Sequence, residues 1–209
     1  MDVMILITEL IGTAAFAVSG VVVGIKKNMD IFGVVVLGLT AACGGGLIRD
    51  VILGKLPPVM FSEPIYALVA VLVSLAVFLV VYKRKKLWDG RAFNRTMLIA
   101  DAAGLGVFTA SGMLACIHAG YGYNAFFTVF LGVLTGVGGG LMRDVMAENP
   151  PYIFVKHVYA CASLIGAVMS YVLWRVLKTD AALFIGAGII VVVRFLAAHF
   201  EWSLPKVKQ

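Results

Sequence analysis

The sequence predicts an all-α integral membrane protein with seven transmembrane helices, arranged as two inverted three-helix repeats plus one extra helix. Three observations lead to this fold class: the composition, a series of long apolar runs and a duplicated set of motifs. Of the 209 residues, 62% are hydrophobic and 13% are charged, and the mean hydropathy is +1.02. A soluble domain is typically about 45–50% apolar and about 25% charged. The composition therefore excludes a soluble fold, and it also excludes a disordered chain.

Seven apolar runs are separated by charged segments or by segments that contain proline and glycine. Each run is close to the ~20 residues that a helix needs to cross the hydrocarbon core of a bilayer. The runs must be helical, because lipid offers no hydrogen-bond partner to free backbone groups. The predicted spans are residues 3–25, 31–53, 62–82, 96–117, 124–146, 153–174 and 181–199.

The basic residues fall mainly on one side of this arrangement. Twelve of the 17 lysines and arginines lie in one set of loops: Lys26, Lys27, Lys83, Arg84, Lys85, Lys86, Arg91, Arg95, Arg143, Lys156, Lys206 and Lys208. The opposite set holds only Arg49, Lys55, Arg175 and Lys178, and Arg194 lies inside the last span. The positive-inside rule then predicts a periplasmic N-terminus and a cytoplasmic C-terminus. The net charge of +6 reflects loops that face anionic membrane lipid, and we expect no nucleic-acid partner.

The motifs occur twice. FAVSG at 16–20 matches FTASG at 108–112, and CGGGLIRDV at 43–51 matches VGGGLMRDV at 137–145. Paired prolines follow each copy, at 57–58 and 150–151. Because each repeat holds an odd number of helices, the second copy enters the membrane from the opposite side. The chain divides into a first repeat (1–82), a basic cytoplasmic loop (83–95), a second repeat (96–175) and a seventh helix with the C-terminal tail (176–209).

Two glycine triplets lie in the second helix of each repeat, at Gly44, Gly45 and Gly46 and at Gly138, Gly139 and Gly140. Each glycine costs a helix interior about 1 kcal/mol relative to alanine. The triplets therefore predict weakened or kinked helices, whose freed carbonyls a cation or water could partner. The alternative is close helix packing through small residues.

Arg49-Asp50 and Arg143-Asp144 directly follow the triplets. A charge inside the membrane costs at least about 2.5–3.5 kcal/mol, so it normally faces a partner or a wet cavity. If the helices end at the arginines, the pairs instead cap them at the interface. Neighbouring residues on a helix diverge by about 100°. Cross-repeat pairs, Arg49 with Asp144 and Arg143 with Asp50, are therefore expected if the two glycine segments approach each other.

Glu9 and Asp101 occupy matching positions in ITELIG and IADAAG. Glu9 lies about 9 Å into the first span at 1.5 Å per residue, and Asp101 lies at a similar depth from the opposite face. Two such acids could concentrate cations at the two mouths of a pathway, or they could be structural. Ser19 and Ser111, further along the same helices, could ligate a cation or bond back to their own helix.

Catalytic signatures are missing from the sequence. It has no HExxH, no Ser-His-Asp order, no paired cysteine site and no nucleotide-binding fingerprint. We therefore predict that the protein is not an enzyme, that it needs no cofactor, and that it binds no metal beyond a transported monovalent cation.

The duplicated GGGLxRDV, the paired prolines, the FxxSG blocks and the 3+3+1 plan resemble the prokaryotic trimeric intracellular cation (TRIC) channel family. Bacterial sequences of this kind are also labelled a putative glycine-transporter domain family. The resemblance implies a homotrimer in the bacterial inner membrane, with a pore in each protomer among the first, second, fourth and fifth helices. It implies monovalent cations, chiefly potassium, as the conducted ions. It also implies that both glycine triplets are kinks beside the arginine and aspartate pairs.

Two functional classes remain open. One is a passive potassium channel, and the other is a secondary transporter of a small amino acid such as glycine, working by alternating access between inverted repeats. A structural scaffold fits poorly with paired buried charges. The sequence has no TVGYG-type filter, so selectivity for potassium does not follow from its residues.

Overall fold

The computed structural model describes residues 3–84, 90–155 and 158–202, and nine α-helices lie within these ranges. Helix α5 continues into a π-helical turn, Ile117–Tyr121. The helices are α1 (Val3–Lys26), α2 (Ile31–Ile52), α3 (Val59–Ser62), α4 (Ile65–Lys83), α5 (Gly90–Cys116), α6 (Ala125–Met146), α7 (Tyr152–Val155), α8 (Tyr159–Trp174) and α9 (Thr179–His199).

Six helices are long and apolar enough to cross a membrane: α1, α2, α4, α5 with its π-helical turn, α6 and α9. Helix α8 is also apolar but has only 16 residues, or about 24 Å at 1.5 Å per residue. The predicted all-helical membrane fold of two inverted three-helix repeats and one extra helix is confirmed.

Helices α2 and α6 begin in the same way in the two repeats. The Asp30 side chain accepts a hydrogen bond from Gly33 N (2.7 Å), and the Asn124 side chain accepts one from Phe127 N (3.0 Å). Side-chain oxygens at this position partner backbone N–H groups that have no acceptor within the helix. The matched caps fix where each of these helices starts.

Two predicted boundaries differ from the structure. The span expected at 153–174 is divided into α7 and α8, and Val158 just before α8 has a left-handed backbone (φ 62°). Helix α5 begins at Gly90, within the expected 83–95 loop, and residues 85–89 lie outside the described ranges. Packing explains the early start of α5, because Lys26 Nζ lies over the Phe93 ring (5.6 Å) and donates to Asn94 Oδ1 (2.8 Å).

The first two helices of each repeat pack against their counterparts in the other repeat. Helix α1 contacts α5, and α2 contacts α6, while α9 packs against α5 and α8. Contacts between equivalent helices are what a pseudo-two-fold axis in the membrane plane produces. The axis therefore runs between α1 and α5 and between α2 and α6.

The α2–α6 crossing is made by the glycine triplets. Both helices run without interruption through their triplets. A Cβ on Gly45 would collide with the Thr135 carbonyl oxygen, and one on Gly139 would collide with the Ala41 carbonyl oxygen. Neither helix is interrupted at its triplet. The triplets let two backbones approach, as small residues commonly do in membranes.

Candidate functional site

The Arg49 cluster, composed of Glu9, Arg49, Asp50, Tyr66 and Ser111, joins both repeats by hydrogen bonds. Arg49 Nε donates to Asp50 Oδ1 (2.8 Å), and Arg49 Nη1 donates to Ser111 Oγ (3.0 Å). Ser111 Oγ in turn donates to Glu9 Oε1 (2.5 Å), and Tyr66 OH donates to Glu9 Oε2 (2.5 Å). Ser111 from the second repeat therefore links two charges of the first.

The Arg143 cluster, composed of Ser19, Asp101, Arg143, Asp144 and Tyr159, is its counterpart in the second repeat. Arg143 Nε donates to Asp144 Oδ1 (2.8 Å), and Arg143 Nη1 donates to Asp101 Oδ1 (2.7 Å) and Ser19 Oγ (2.5 Å). Arg143, Asp101 and Asp144 are all 0% exposed. A fully buried guanidinium is stable only with such close anionic partners.

The two aspartates also hold the segments after α2 and α6. Asp50 Oδ2 accepts from Val59 N (2.9 Å), and Asp144 Oδ2 accepts from Tyr152 N (2.9 Å). These N–H groups belong to the first residues of α3 and α7. Each aspartate therefore fixes an arginine with one oxygen and the start of a short helix with the other.

The clusters differ in what surrounds their tyrosine. In the Arg49 cluster the tyrosine hydroxyl is bonded to Glu9. In the Arg143 cluster, the buried Tyr159 lies beside Asp101 and Arg143. The guanidinium of Arg194, from α9, lies over the Tyr159 ring, with Arg194 Cζ 4.9 Å from the ring centroid. The extra helix thus makes the two halves chemically unequal.

The clusters also differ in access. A cavity of about 470 Å³ reaches the Arg49 cluster, and Lys55, Glu63 and His118 are among the other residues that line it. A smaller adjoining cavity of about 40 Å³ shares Glu9, Arg49 and Tyr66 and continues inward. In contrast, the charges of the Arg143 cluster are sealed. A cavity therefore gives access to the Arg49 cluster, whereas the charges of the Arg143 cluster are fully buried.

The expected cross-repeat ion pairs are wrong. Arg49 pairs with Asp50 and Arg143 pairs with Asp144, each with its neighbour in the sequence. The arginine side chain is long enough to fold back, so the 100° divergence of the two Cα–Cβ directions does not prevent the contact. The repeats are connected instead through Ser111 and through Ser19.

The serines and acids also differ from expectation. Ser19 and Ser111 bond to charged side chains of the opposite repeat rather than back to their own helices. Asp101 does not lie at a mouth, because it is fully buried against Arg143. Glu9 is partly exposed and lines the large cavity.

Sequence reasoning left some site residues without a role. Tyr66 and Tyr159 match between the repeats, and that match was the available signal for them. Arg194 was recognisable in the sequence as a charged residue inside the last span. Its partner could not be inferred, because the seventh helix has no equivalent in the repeats. Within residues 3–84, 90–155 and 158–202, no group of three or more His, Cys, Asp or Glu side chains is placed to hold a metal ion.

Comparison with known proteins identifies the family. A family model described as Glycine transporter matches residues 6–82 and 98–175, which is more than half of the chain. The chain belongs to this TRIC-like family. Relatives include the UPF0126 inner membrane protein YadS of Escherichia coli, 34% identical over 94% of the chain and 93% of the relative. A UPF0126 membrane protein of Deinococcus radiodurans is 40% identical over 76% of the chain and 71% of the relative.

Solved structures of TRIC channels share the fold of this family member. A TRIC cation channel studied for its conductance is 36% identical, with a TM-score of 0.84 and coverage of 97% of both chains. A TRIC trimeric intracellular cation channel orthologue from Rhodobacter sphaeroides is 28% identical, with a TM-score of 0.87, and the match covers 96% of this chain and all of that one. The resemblance to TRIC channels inferred from the duplicated motifs is confirmed.

Proposed function

We propose that the protein is a passive monovalent cation channel. The observation that carries the proposal is the cavity of about 470 Å³ that reaches the Arg49 cluster inside the bundle. Such a cavity gives an ion a hydrated route past the first part of the membrane barrier. The pathway runs inward from Glu9 between α1, α2, α5 and α6, toward the Arg143 cluster.

The charge of the cavity favours cations over anions. Its lining contains three acids, Glu9, Asp50 and Glu63, and two bases, Arg49 and Lys55. The formal balance is one negative charge when His118 is neutral. Apolar walls focus the field of such charges and raise the local concentration of counter-ions.

The Arg143 cluster closes the pathway in this conformation. Its guanidinium is fully buried and bonded to Asp101, Asp144 and Ser19. Because Arg143, Asp101 and Asp144 are all fully buried, the cluster leaves an approaching cation no hydrated route. We infer that conduction requires the contacts of Arg143 with Asp101, Asp144 and Ser19 to loosen, which admits water to the cluster.

Potassium, a homotrimer and a pore in each protomer are the finer parts of the proposal. The matched structures are TRIC cation channels, and the one from Rhodobacter sphaeroides is described as trimeric. Both clusters are built within a single chain, which supports one pathway per protomer. The glycine triplets contribute by holding α2 against α6, and Gly46 also borders the inner cavity.

We further propose an inner-membrane location with a periplasmic N-terminus. The Escherichia coli relative is described as an inner membrane protein. Glu9 lies near the start of α1 and Arg49 near the end of α2, so the large cavity opens on the side of the N-terminus. The open mouth then faces the periplasm, and the sealed cluster lies toward the cytoplasm.

A secondary transporter of a small amino acid such as glycine is the second candidate. The observation that favours it is the inequality of the halves, because alternating access closes one side while the other is open. The family model is also described as Glycine transporter. In such a transporter, a central substrate site would open in turn on the side of the Arg49 cluster and on the side of the Arg143 cluster.

Planar-bilayer recording of the purified protein separates the two. A channel gives unitary currents in potassium chloride without any amino acid, and in a salt gradient they reverse near the cation equilibrium potential. A transporter gives no unitary currents but exchanges labelled glycine across liposomes. Light scattering of the detergent-solubilised protein measures the subunit number. Folded trimers that pass no potassium current would overturn the channel proposal.

A further inference from the structure

Two matched phenylalanines meet at the centre of the bundle. Phe16 and Phe108 are the first residues of the FAVSG and FTASG motifs. Their rings stack with centroids 5.4 Å apart and planes 16° apart, and they are 1% and 7% exposed. Because the residues are repeat equivalents, their contact lies on the pseudo-two-fold axis.

Phe108 lies at the inner end of the cavities that reach the Arg49 cluster. It lines the inner cavity together with Glu9 and Gly46. Its ring also lies against Gly12, where an added Cβ would come within 3.4 Å of Phe108 Cε2. Gly12 is one helical turn inward from Glu9, so the ring covers the inner end of the Arg49 cluster.

Phe16 occupies the equivalent position next to the Arg143 cluster. Its ring lies on Gly104, where an added Cβ would come 2.5 Å from Phe16 Cδ1. Gly104 is one turn inward from Asp101. The ring also lies 3.5 Å from the Cβ position of Gly139, next to Gly140, which faces the Arg143 cluster. Both charged clusters therefore end on a phenyl ring.

We propose that the Phe16–Phe108 pair is the water-excluding constriction that separates the two clusters. The order along the pathway is a polar cluster, two stacked rings and a second polar cluster. An ion between the rings loses hydration oxygens and gains none from the protein, and an apolar constriction gates by dewetting. The rings must part before an ion can pass from Glu9 to Asp101.

The glycines that contact the two rings are part of the same constriction. Gly12 and Gly104 have no side chain, and their positions are in contact with Phe108 and with Phe16, respectively. A side chain at Gly104 would displace the Phe16 ring. The sequence thus provides each half with an acid, a glycine one turn on and a phenylalanine that covers the other half's glycine.

The inference rests on the proposed channel function, and the first test is ion flux. Phe108→Ala removes one ring at the edge of the inner cavity, and we expect several-fold more potassium flux from liposomes than with the parent. Phe108→Leu, which keeps an apolar plug, should stay near the parent. Phe126→Ala is the matched control, since Phe126 is a highly exposed phenylalanine on α6. Unchanged flux in folded Phe108→Ala protein would overturn the proposal.

The second test needs no channel activity, so failure of the channel proposal leaves it intact. In a background without Cys43, Cys116 and Cys161, Thr13→Cys places a thiol in the inner cavity and Ser19→Cys places one in the Arg143 cluster. Silver ions, applied to the N-terminal side of sealed vesicles, should protect the Thr13→Cys thiol from maleimide labelling after denaturation.

The same silver treatment should leave the Ser19→Cys thiol unprotected. Combining Ser19→Cys with Phe108→Ala should make that thiol silver-reactive, and combining it with Phe126→Ala should not. Equal protection of the Ser19→Cys thiol with and without the Phe108 ring would show that the aromatic pair does not separate the clusters. If Phe108→Ala fails to fold, Phe16→Ala repeats the comparison from the other ring.

Discussion

At the scale of single residues, each arginine is bonded both to its own repeat and to the other. The aspartate next in the sequence binds Nε, and a serine of the opposite repeat binds Nη1. Sequence neighbours thus provide the charge balance, and the serines provide the coupling between repeats. The clusters differ in solvent access, since Arg49 lines the large cavity and Arg143 is fully buried.

This difference predicts unequal stability losses for matched variants. Asp144→Asn removes one of the two carboxylates paired with Arg143 in a sealed site. Leaving a buried charge with no partner costs about 3–5 kcal/mol, and we expect a loss below that range because Asp101 remains. Asp50→Asn should cost clearly less, because water in the cavity can solvate Arg49. Thermal unfolding of the two variants in the same detergent measures both losses. Equal shifts in Tm would show that access to water does not distinguish the clusters.

Glu9 should act on ion flux through its charge. Glu9→Gln removes one of the three acids of the large cavity, so we expect reduced potassium flux at low ionic strength and a smaller reduction at high salt. The Debye length falls from about 30 Å at 0.01 M to about 3 Å at 1 M salt, which screens the charge. Glu201→Gln, an exposed acid after α9, is the control. A loss that is the same at all salt concentrations would contradict the charge mechanism.

At the scale of helices, the glycine triplets decide how closely α2 and α6 approach. The backbone of each helix occupies the space where the other helix would carry a Cβ. The same contact fixes the distance between the two clusters, because Arg49 and Arg143 follow the triplets directly. The triplets therefore position the charges by packing, in uninterrupted helices.

Alanine substitutions should separate packing glycines from neutral ones. Gly45→Ala and Gly139→Ala each drive a methyl group into a backbone carbonyl, and overpacking typically costs about 1–3 kcal/mol. Gly188→Ala in α9, where nothing lies within 4 Å of the added Cβ, should be neutral or slightly stabilising. Thermal unfolding of all three variants is the measurement. Full stability of Gly139→Ala would mean that the crossing is looser than the structure shows.

At the scale of the whole molecule, two similar repeats form two unlike ends. One end has the large cavity and the other has a sealed cluster. Helix α9 contributes to the difference, because it has no repeat counterpart and supplies Arg194 to Tyr159. A symmetric pair of repeats alone gives no reason for one end to differ from the other.

The orientation of these ends is testable by reporter fusion. The sequence predicts that 12 of the 17 basic residues belong to the set of loops on the side of the C-terminus. A C-terminal reporter that is active only in the periplasm should therefore be silent. A reporter that is active only in the cytoplasm should give signal at the same position. The opposite pattern would place the large cavity toward the cytoplasm.

The sequence by itself determined the membrane fold, most helix boundaries and the inverted repeat. Hydropathy and charge act locally along the chain, and a duplication is visible wherever motifs match. The same reasoning singled out Glu9, Asp101, both Arg-Asp pairs and both FxxSG serines. All of these residues lie in the two clusters.

Only the tertiary structure decided which of these side chains meet. Pairing depends on side-chain reach and on the distance between helices, which spacing along one helix does not specify, so Arg49 was assigned to the wrong aspartate. The glycine triplets have the same local pattern whether they break a helix or pack two helices together, and only the position of the facing backbone separates these outcomes. Nearly identical repeat motifs also carry no sign of which cluster is open. That asymmetry arises when α9 and the surrounding helices pack around them.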